Sequence, residues 1–506
     1  MRVHKKCAPE LQEPEETERI ERIGRNRKRG GNIVEEGREY KDTVKKLFTF
    51  IEESPSQYHA VDTMRKHLEA AGYEQLLESG AWKLKSGGKY YVIRSGSSLI
   101  AFRIPAQDSQ NYCGFQIVAS HSDSPSFKIK TNPEMNVEEH YVKLNVEKYG
   151  GMLCAPWFDR PLSVAGRLIV KENNRLVTKL VNVDRDLVMI PNLAIHMNRE
   201  ANKGYDYNIQ KDMLPLYGCG EAKGKFMKQI AETANVKEDA ILASDLFLYN
   251  RMKGSIWGAC EEFISSPKLD DLQCAFSSLE AFLQSEEPLP SENVQANEQS
   301  EVDGKNVINE KNVINGKSIQ VHCVFDNEEV GSGTKQGAAS TFLADTLIRI
   351  NHAMGRDEAG YRQSIANSFM LSADNAHGVH PNHTDKACPT NRPYPGNGVV
   401  IKYSANQKYT TDAISAAVFE EICNRANVPY QIYVNRSDIL GGSTLGNIST
   451  TQVPVNTVDI GLAQLAMHSP YETGSVKDTD YMIQAMKTFF EASVRQTEDG
   501  YEIISR

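Results

Sequence analysis

Apolar residues recur every three to four positions after residue 41, which is the spacing of one face of a helix. The residues of this face are Val44, Leu47, Phe48 and Ile51. A second helix is predicted over 58–71. Short runs rich in β-branched and aromatic residues then predict strands at 90–94, 99–104 and 115–120. The folded part of the chain therefore begins with two helices and the first strands of a sheet.

The hydrophobic pattern changes between about residues 130 and 250, where strand-like segments alternate and helical signals are scarce outside 225–240. This change predicts a second, β-rich domain. Helices and strands alternate again after it. The predicted helices lie at 268–284, 335–350, 410–426 and 478–496, and the predicted strands lie at 318–325, 368–372, 398–403, 431–434 and 456–460. Such alternation indicates an α/β fold in which helices sandwich a largely parallel or mixed sheet.

Two stretches fall outside this pattern. Residues 1–40 are rich in charge and poor in apolar side chains, which predicts a flexible charged tail. Residues 285–317 are polar and contain the pentapeptide KNVIN twice, which predicts an exposed low-complexity loop inserted into the second part of the α/β domain.

The composition argues against several classes of protein. The 506 residues carry a formal net charge of −9, which argues against a nucleic-acid binder. No stretch approaches the ~18 consecutive apolar residues of a membrane span, and the N-terminus has no apolar signal region, so we expect a soluble, cytoplasmic protein with no membrane partner. The nine cysteines are scattered and never form a C-x-x-C pair, which excludes a zinc ribbon and argues against a disulfide framework.

Candidate chemistry collects where predicted strands end. The side chains at or after these ends are His121, Asp123, Asp326, Glu328, Glu329, Asp374 and His468. Asp270 and Asp271 form a further pair in the helix predicted at 268–284. The carboxyl ends of strands are where an open α/β sheet binds its ligand. Imidazole and carboxylate groups without thiolates favour zinc, and manganese or cobalt fit the same groups.

A hydrolase with two metal ions needs histidine and carboxylate ligands, one carboxylate that bridges the ions, and a further carboxylate that takes a proton from water. Glu328 and Glu329 suit a division of roles, because adjacent side chains at a strand end point in different directions. Asp123 lies two residues after His121, so on an extended chain both side chains project to the same side. This spacing suits a carboxylate that holds the imidazole ring.

Nine stretches in this order resemble the aspartyl aminopeptidases, which are zinc exopeptidases with two metal ions that remove single N-terminal residues from peptides. These stretches are ASHSDSPSFKIK, WFDRPLSVAGRL, IPNLAIHMNRE, SSPKLDDLQCAF, DNEEVGS, LSADNAHGVHPN, VIKYSANQKY, GGSTLGNIS and DIGLAQLAMHS. They run from about residue 115 to 470 and cover most of the chain.

The resemblance implies a set of metal ligands. His121, Asp270 and Asp374 match the ligands of one zinc ion. Asp270 also bridges to a second zinc ion, which Glu329 and His468 hold. The family usually has LDN where this chain has two consecutive aspartates, so Asp271 remains an alternative to Asp270.

The resemblance also implies further roles. Glu328 matches the general base that activates the attacking water, and Asp123 matches the residue that orients the first histidine ligand. His196 matches a histidine that reaches the substrate carbonyl across a dimer interface. Lys402 and Tyr409 occupy the positions associated with a preference for N-terminal Asp or Glu. Peptides with acidic N-terminal residues are therefore the expected substrates.

Architecture and assembly follow from the same resemblance. It implies a discontinuous catalytic domain at 41–130 and 255–506, with a β-rich dimerisation domain at 131–254. Family members assemble from dimers into a dodecamer, so we expect a homo-oligomer. Two alternatives stay open: an aminopeptidase of neutral or broad specificity on the same two-zinc site, and a catalytically idle self-assembling scaffold.

One further departure from the family pattern and three additional histidines lie in or next to these motifs. A histidine that the family has near the start of the IPNLAIH stretch is Asn192 here. His377, His380 and His383 lie close together after Asp374 and could supply extra metal ligands. The resemblance favours hydrogen bonding within the loop as their role.

Overall fold

A nine-stranded mixed sheet forms the centre of the computed structural model, which describes residues 33–286 and 317–504, with side chains from Tyr40 onward. The strands, in spatial order, are Glu74–Leu76, Lys89–Arg94, Ser98–Arg103, Ile319–Phe325, Phe115–His121, Phe369–Ala373, Asn456–Gly461, Val399–Tyr403 and Tyr430–Val434. The predicted tail lies mostly, and the predicted low-complexity insertion almost entirely, outside the described residues.

The four middle strands of this sheet are parallel to one another, and their ends are level. His121 pairs with Phe325, and Ala373 pairs with Ile460. Every residue of Phe115–His121 and of Ile319–Phe325 is buried, as expected for parallel strands covered on both faces. The residues that follow these strands therefore meet at one edge of the sheet.

Helices cover both faces of the sheet, which confirms the predicted α/β class. One face packs against Ile33–Glu52, Gln57–Ala70, Leu269–Gln284, Ala413–Arg425 and Asp478–Glu491. The other face packs against Phe342–Ala353, Glu358–Ala366 and Leu445–Ser449. Successive residues of one strand contribute to opposite cores, as the alternation of a strand requires: Val118 belongs to the first core, and Ile117 and Ala119 belong to the second.

A separate antiparallel sheet of six strands lies between the two parts of the α/β domain in sequence. Its strands, in spatial order, are Arg175–Asn182, Leu162–Glu172, Ile241–Asn250, Ser126–Val137, Tyr141–Tyr149 and Leu216–Cys219. Two short helices, Ile209–Asp212 and Phe226–Thr233, accompany it, and the sheet has its own core around Phe127 and Trp157. We call this unit the inserted domain.

Three small sheets complete the fold. Their strands are Ser255–Trp257 with Phe263–Ser266 and Glu472–Ser475, Ala376–His377 with Ala463–Gln464, and Ser493–Gln496 with Tyr501–Ile504. No helix within 33–286 or 317–504 is long and apolar enough to cross a membrane. All eight cysteines among the described residues are free thiols.

The structure differs from the predicted elements at several helix ends. The first helix begins at Ile33, before the predicted start near residue 41. The helix predicted at 335–350 begins only at Phe342, because consecutive turns occupy the residues before it. Gly337 packs so closely within these turns that a Cβ atom there would lie 2.2 Å from the carbonyl oxygen of Ser332.

Two further differences lie in the second part of the α/β domain. The helix predicted at 478–496 ends at Glu491, because Ala492 is extended and 493–496 pairs with 501–504. The helix Glu358–Ala366 was not predicted. Its amphipathic pattern is weak, and its start depends on Asp357, whose side chain accepts a hydrogen bond from the backbone N–H of Gly360.

Candidate metal centre

His121 is the last residue of the strand Phe115–His121, and its side chain is 1% exposed. Its Nδ1 donates to the backbone carbonyl of Asp123 at 3.1 Å. Because a carbonyl only accepts, Nδ1 carries a hydrogen, so in the neutral ring Nε2 has the lone pair. That Nε2 atom faces three carboxylates, at 3.7 Å from Asp270, 3.9 Å from Asp271 and 3.9 Å from Asp374.

His468 presents its imidazole in the same way from the loop before Glu472–Ser475. Its Nδ1 donates to the backbone carbonyl of Gly151, so its Nε2 also keeps a lone pair. Nε2 lies 3.3 Å from Asp270 Oδ2 and 3.4 Å from Glu329 Oε2. Since Oδ1 of Asp270 is the oxygen nearer to His121, this one carboxylate has an oxygen directed to each histidine.

The donor set fits metal cations. Asp270 Oδ1, Asp271 Oδ1 and Glu329 Oε1 are buried and have no hydrogen-bond partner. Buried carboxylate oxygens in this state are costly unless a cation satisfies them. Burial, reinforced by neighbouring carboxylates, raises the pKa of Asp271 and of Glu329 well above the ordinary range. Nitrogen and oxygen donors of this kind suit zinc.

Asp374 follows the strand Phe369–Ala373 and is balanced by a buried lysine. Lys402 donates from Nζ to the backbone carbonyl of Asp374 at 2.7 Å, and the same Nζ lies 3.8 Å from Asp374 Oδ2. Burial alone would raise the pKa of Asp374, but Lys402 and His121 outweigh it and lower the pKa to about 2. The Lys402 ammonium also lies 5.1 Å from the centre of the Tyr409 ring.

Glu328 lies beside this cluster on the short 3-10 turn Glu328–Val330. Ligand atoms of Glu328, Glu329 and His121 all lie within 4.8 Å of one another. Burial and the neighbouring charges of Asp374 and Asp123 raise the pKa of Glu328 to about 8, against the opposing effect of His121. A carboxyl group with a pKa near neutrality can both accept and return a proton.

The contacts of Asp123 extend from His121 to the turn that carries Glu328 and Glu329. Its carboxylate lies 3.4 Å from the His121 ring nitrogen, although the hydrogen bond itself goes to its backbone carbonyl. The carboxylate accepts hydrogen bonds from the backbone N–H of Glu328 at 3.1 Å and of Glu329 at 3.2 Å. It also accepts from the Tyr149 hydroxyl at 2.7 Å. Asp123 therefore fixes the turn that carries both glutamates.

Glu472 belongs to the site but was not predicted. It is buried, and its two oxygens accept hydrogen bonds from the backbone N–H of Asp270 at 2.9 Å and of His468 at 2.7 Å. Burial, with the charge of Asp270, raises its pKa to about 8. In the sequence, only its position four residues after His468 sets Glu472 apart, and that spacing does not indicate a metal site or a catalytic role.

The remaining predicted residues lie elsewhere. His196 is exposed, and so are its apolar neighbours Leu193, Ile195 and Met197. It is not part of the metal-ligand cluster described above. Its predicted role across a dimer interface stays a prediction. Asn192, at the start of that stretch, donates from Nδ2 to Asp159 at 2.7 Å.

The three loop histidines do not join the metal-ligand cluster either. His377, His380 and His383 line a cavity of about 230 Å³ together with Tyr433 and Leu440. The rings of His380 and His383 pack on each other with their centres 5.1 Å apart. Among the described residues, these histidines form no group that could hold a metal ion.

Comparison with known proteins gives consistent matches along the chain. The family model for aminopeptidase I zinc metalloprotease (M18) matches residues 50–307 and 300–490. A probable M18 family aminopeptidase 2 from Clostridium acetobutylicum is 44% identical over 453 residues, which span 88% of this chain and 98% of that protein.

Two solved structures extend this likeness to the fold. A chain in the cryo-EM structure of the Ape4 and Nbr1 complex has a TM-score of 0.81 and 32% identity, over 90% of this chain and 86% of that one. The mApe1 dodecamer of Saccharomyces cerevisiae has a TM-score of 0.73 and 26% identity, over 90% of this chain and 97% of that one.

Proposed function

Because this chain belongs to the M18 family and is a zinc-dependent aminopeptidase, we propose that its strand-end cluster holds two zinc ions per chain. His121, Asp270 and Asp374 are the proposed ligands of one ion, and Asp270, Glu329 and His468 are those of the other. The observation that carries this proposal is the position of Asp270, whose two oxygens each face the free nitrogen of a different histidine. The unpartnered carboxylate oxygens around it supply the remaining charge.

Asp271 is the weaker candidate for the bridging role. One of its oxygens accepts a hydrogen bond from the backbone N–H of His121 at 3.1 Å. The same oxygen lies 3.9 Å from His121 Nε2, so Asp271 belongs to the His121 side of the centre. Asp270 therefore takes the bridging role.

The reaction divides between the metal ions and the chain. When bound, the zinc ions lower the pKa of the attacking water and polarise the scissile carbonyl. Glu328 accepts the proton of that water and returns it to the departing amine, which its pKa of about 8 permits. Asp123 holds the backbone N–H of Glu328, so the base stays in position between these two transfers.

We propose that the enzyme prefers peptides with N-terminal Asp or Glu, and that Lys402 and Tyr409 bind this acidic side chain. The Lys402 ammonium lies beside Asp374, so a positive charge stands next to the metal ions that bind the first residue of the substrate. A lysine ammonium is a suitable partner for a side-chain carboxylate. The stacked Tyr409 ring limits the directions from which that ammonium can be approached.

A second candidate, an aminopeptidase of broad specificity, is favoured by the burial of Lys402. Lys402 is 1% exposed, and its ammonium already donates to the backbone carbonyl of Asp374. A cation held in this way could serve only to lower the pKa of Asp374. The two candidates therefore differ in whether Lys402 contacts the substrate.

Hydrolysis of the p-nitroanilides of Asp, Glu and Leu separates these candidates. If Lys402 reads the acidic side chain, Lys402→Gln lowers kcat/KM for Asp-anilide by at least about tenfold more than for Leu-anilide. The matched control is Lys408→Gln, because Lys408 is exposed nearby. Equal losses for Asp and Leu in Lys402→Gln would support the broad-specificity candidate. Release that is insensitive to chelators would contradict both.

We further propose that the chain assembles through the inserted domain into dimers and then a dodecamer. The exposed apolar side chains of Leu193, Ile195 and Met197 support an interface at this stretch. The likeness to the mApe1 dodecamer supports the larger assembly. His196 would then reach the active site of the neighbouring chain. A sedimentation measurement that gives a stable monomer would contradict both the assembly and this role of His196.

A further inference from the structure

The segment Tyr149–Leu153 brings the inserted domain onto the metal centre. It begins at the last residue of the strand Tyr141–Tyr149 in the six-stranded sheet. The Tyr149 hydroxyl donates to Asp123 Oδ2 at 2.7 Å. The carbonyl of Gly151 accepts from His468 Nδ1, and the backbone N–H of Leu153 donates to the carbonyl of His468 at 3.1 Å. This short segment thus hydrogen-bonds to His468, a proposed ligand, and to Asp123, which holds the backbone of Glu328 and Glu329.

Gly150 shows how closely this segment packs on the ligands. Its φ angle is +80°, in the region that favours glycine. A Cβ atom at this position would lie 3.1 Å from the Cβ of Glu329 and 3.3 Å from its carbonyl oxygen. The backbone of Gly150 therefore packs closely against Glu329, and a side chain here would crowd it.

Tyr149 is the polar centre of the segment. Its hydroxyl accepts a hydrogen bond from Asn327 Nδ2 at 2.9 Å while it donates to Asp123. Asp123 in turn holds the backbone N–H groups of Glu328 and Glu329. Burial and the Asp123 carboxylate raise the pKa of Tyr149, so the hydroxyl remains a donor throughout the working range. A hydroxyl from the inserted domain thus fixes the turn that carries the general base and a ligand.

We propose that the Tyr149–Leu153 segment is a positioning element that sets the zinc affinity of the centre, with Tyr149 acting through Asp123 and Gly151 acting through His468. The proposal rests on the ligand set proposed above. It also means that the inserted domain and the metal site are coupled: a displacement of this strand end moves the partners of His468, Glu328 and Glu329 together. Groups that hydrogen-bond to metal ligands have this effect in other zinc sites.

The test is the zinc dissociation constant of the full-length chain, measured by equilibrium competition with a chromogenic chelator. Tyr149→Phe keeps the ring and removes only the hydroxyl, so we expect zinc binding to weaken by about 10- to 100-fold. The matched control is Tyr141→Phe, at the other end of the same strand, where the residue is 50% exposed. Both variants should keep the wild-type circular dichroism spectrum in excess chelator, which shows that the fold is intact and that the loss of zinc affinity is not due to unfolding.

A second variant keeps the proposal testable by another route. Gly150→Ala should also weaken zinc binding, because the new Cβ crowds Glu329 at 3.1 Å and the φ angle of +80° is strained for alanine. His468→Ala reports on the ligand set itself. If Tyr149→Phe and Gly150→Ala bind zinc like the wild type while His468→Ala loses one ion, the positioning role is wrong and the ligand set stands. If His468→Ala binds zinc like the wild type, the ligand set is wrong and the inference falls with it.

Discussion

The two halves of the proposed metal centre are built differently. The half around His121 is formed at the ends of parallel strands, with His121 1% exposed and the charge of Asp374 balanced by Lys402. The half around His468 lies on a loop outside the large sheet, and the His468 side chain is 33% exposed. Its ring is held by the carbonyl of Gly151 in the inserted domain.

This difference separates two ways of making a ligand site. Strand register alone brings His121 and Asp374 together, since their strands are neighbours in one sheet and end at the same level. His468 instead lies outside the large sheet and depends on a contact with Gly151 of the inserted domain. We therefore expect the His121 half to be rigid and slow to release metal, and the His468 half to respond to its neighbours.

The largest effect is expected from Glu328→Gln, which removes the proton acceptor and keeps the shape of the side chain. The value of kcat should fall by about 10²- to 10⁴-fold, because general base catalysis is lost. Zinc content should stay at the wild-type value in both halves. The measurement is steady-state hydrolysis of Asp-anilide with elemental analysis of the same sample. Activity near the wild-type value would assign the base to another residue.

Asp270→Asn and Asp271→Asn test whether the two halves share one carboxylate. Asp270 faces both histidines, so its substitution should reduce the zinc content of both halves. Asp271 lies near His121 alone, so its substitution should affect one half only. Zinc per chain, measured by elemental analysis after dialysis against a fixed free zinc concentration, distinguishes the two results. The opposite pattern would make Asp271 the bridging ligand.

A chelator should remove the two zinc ions at different rates. The ion nearer to the partly exposed His468 should leave first, and the ion nearer to the buried His121 should leave more slowly. A stopped-flow experiment with a chromogenic chelator should therefore show two phases in the wild type. His468→Ala should lack the fast phase. A single phase for both ions would contradict the difference between the halves.

The smallest effect concerns a histidine away from the metal centre. His322 is buried next to Phe282, and its ring nitrogen lies 2.7 Å from the Ser278 hydroxyl. Burial without a carboxylate partner lowers its pKa from 6.5 to about 3. Between these values the unfolded chain binds the proton and the folded chain does not. The free energy of unfolding should therefore decrease as the pH falls below 6.5, by at most about 1.4 kcal/mol per pH unit from this group.

Urea unfolding at a series of pH values measures this dependence. His322→Gln removes the titrating ring, so its stability should decrease less steeply with acid than that of the wild type. His352→Gln is the control, because His352 is exposed on the helix Phe342–Ala353. If the free energy of unfolding of His322→Gln and of the wild type changes equally with pH, His322 does not contribute to the acid sensitivity.

The sequence predicted the sheet and the strand-end residues because both follow from local patterns. Continuous apolar runs mark the buried strands, and a polar residue directly after such a run stands out, as His121 and Asp374 do. The choice between Asp270 and Asp271 could not be made locally, because it depends on which carboxylate faces His468. The structure favours Asp270 through two distances.

The residues that were missed act through backbone groups or from another domain. Glu472 binds two backbone N–H groups, and such acceptors leave no side-chain motif. Tyr149 reads as an ordinary strand aromatic until the strand end is placed beside Asp123. The short helix Glu358–Ala366 was missed because few apolar residues mark its buried face, among them Tyr361 and Ile365.

The ligand set is tested most directly by anomalous diffraction at the zinc absorption edge from crystals of the zinc-loaded protein. Two peaks per chain are expected. One should lie between His121 Nε2, Asp270 and Asp374, and the other should lie between His468 Nε2, Asp270 and Glu329. A single peak, or a peak at the cavity lined by His377, His380 and His383, would contradict the proposed centre.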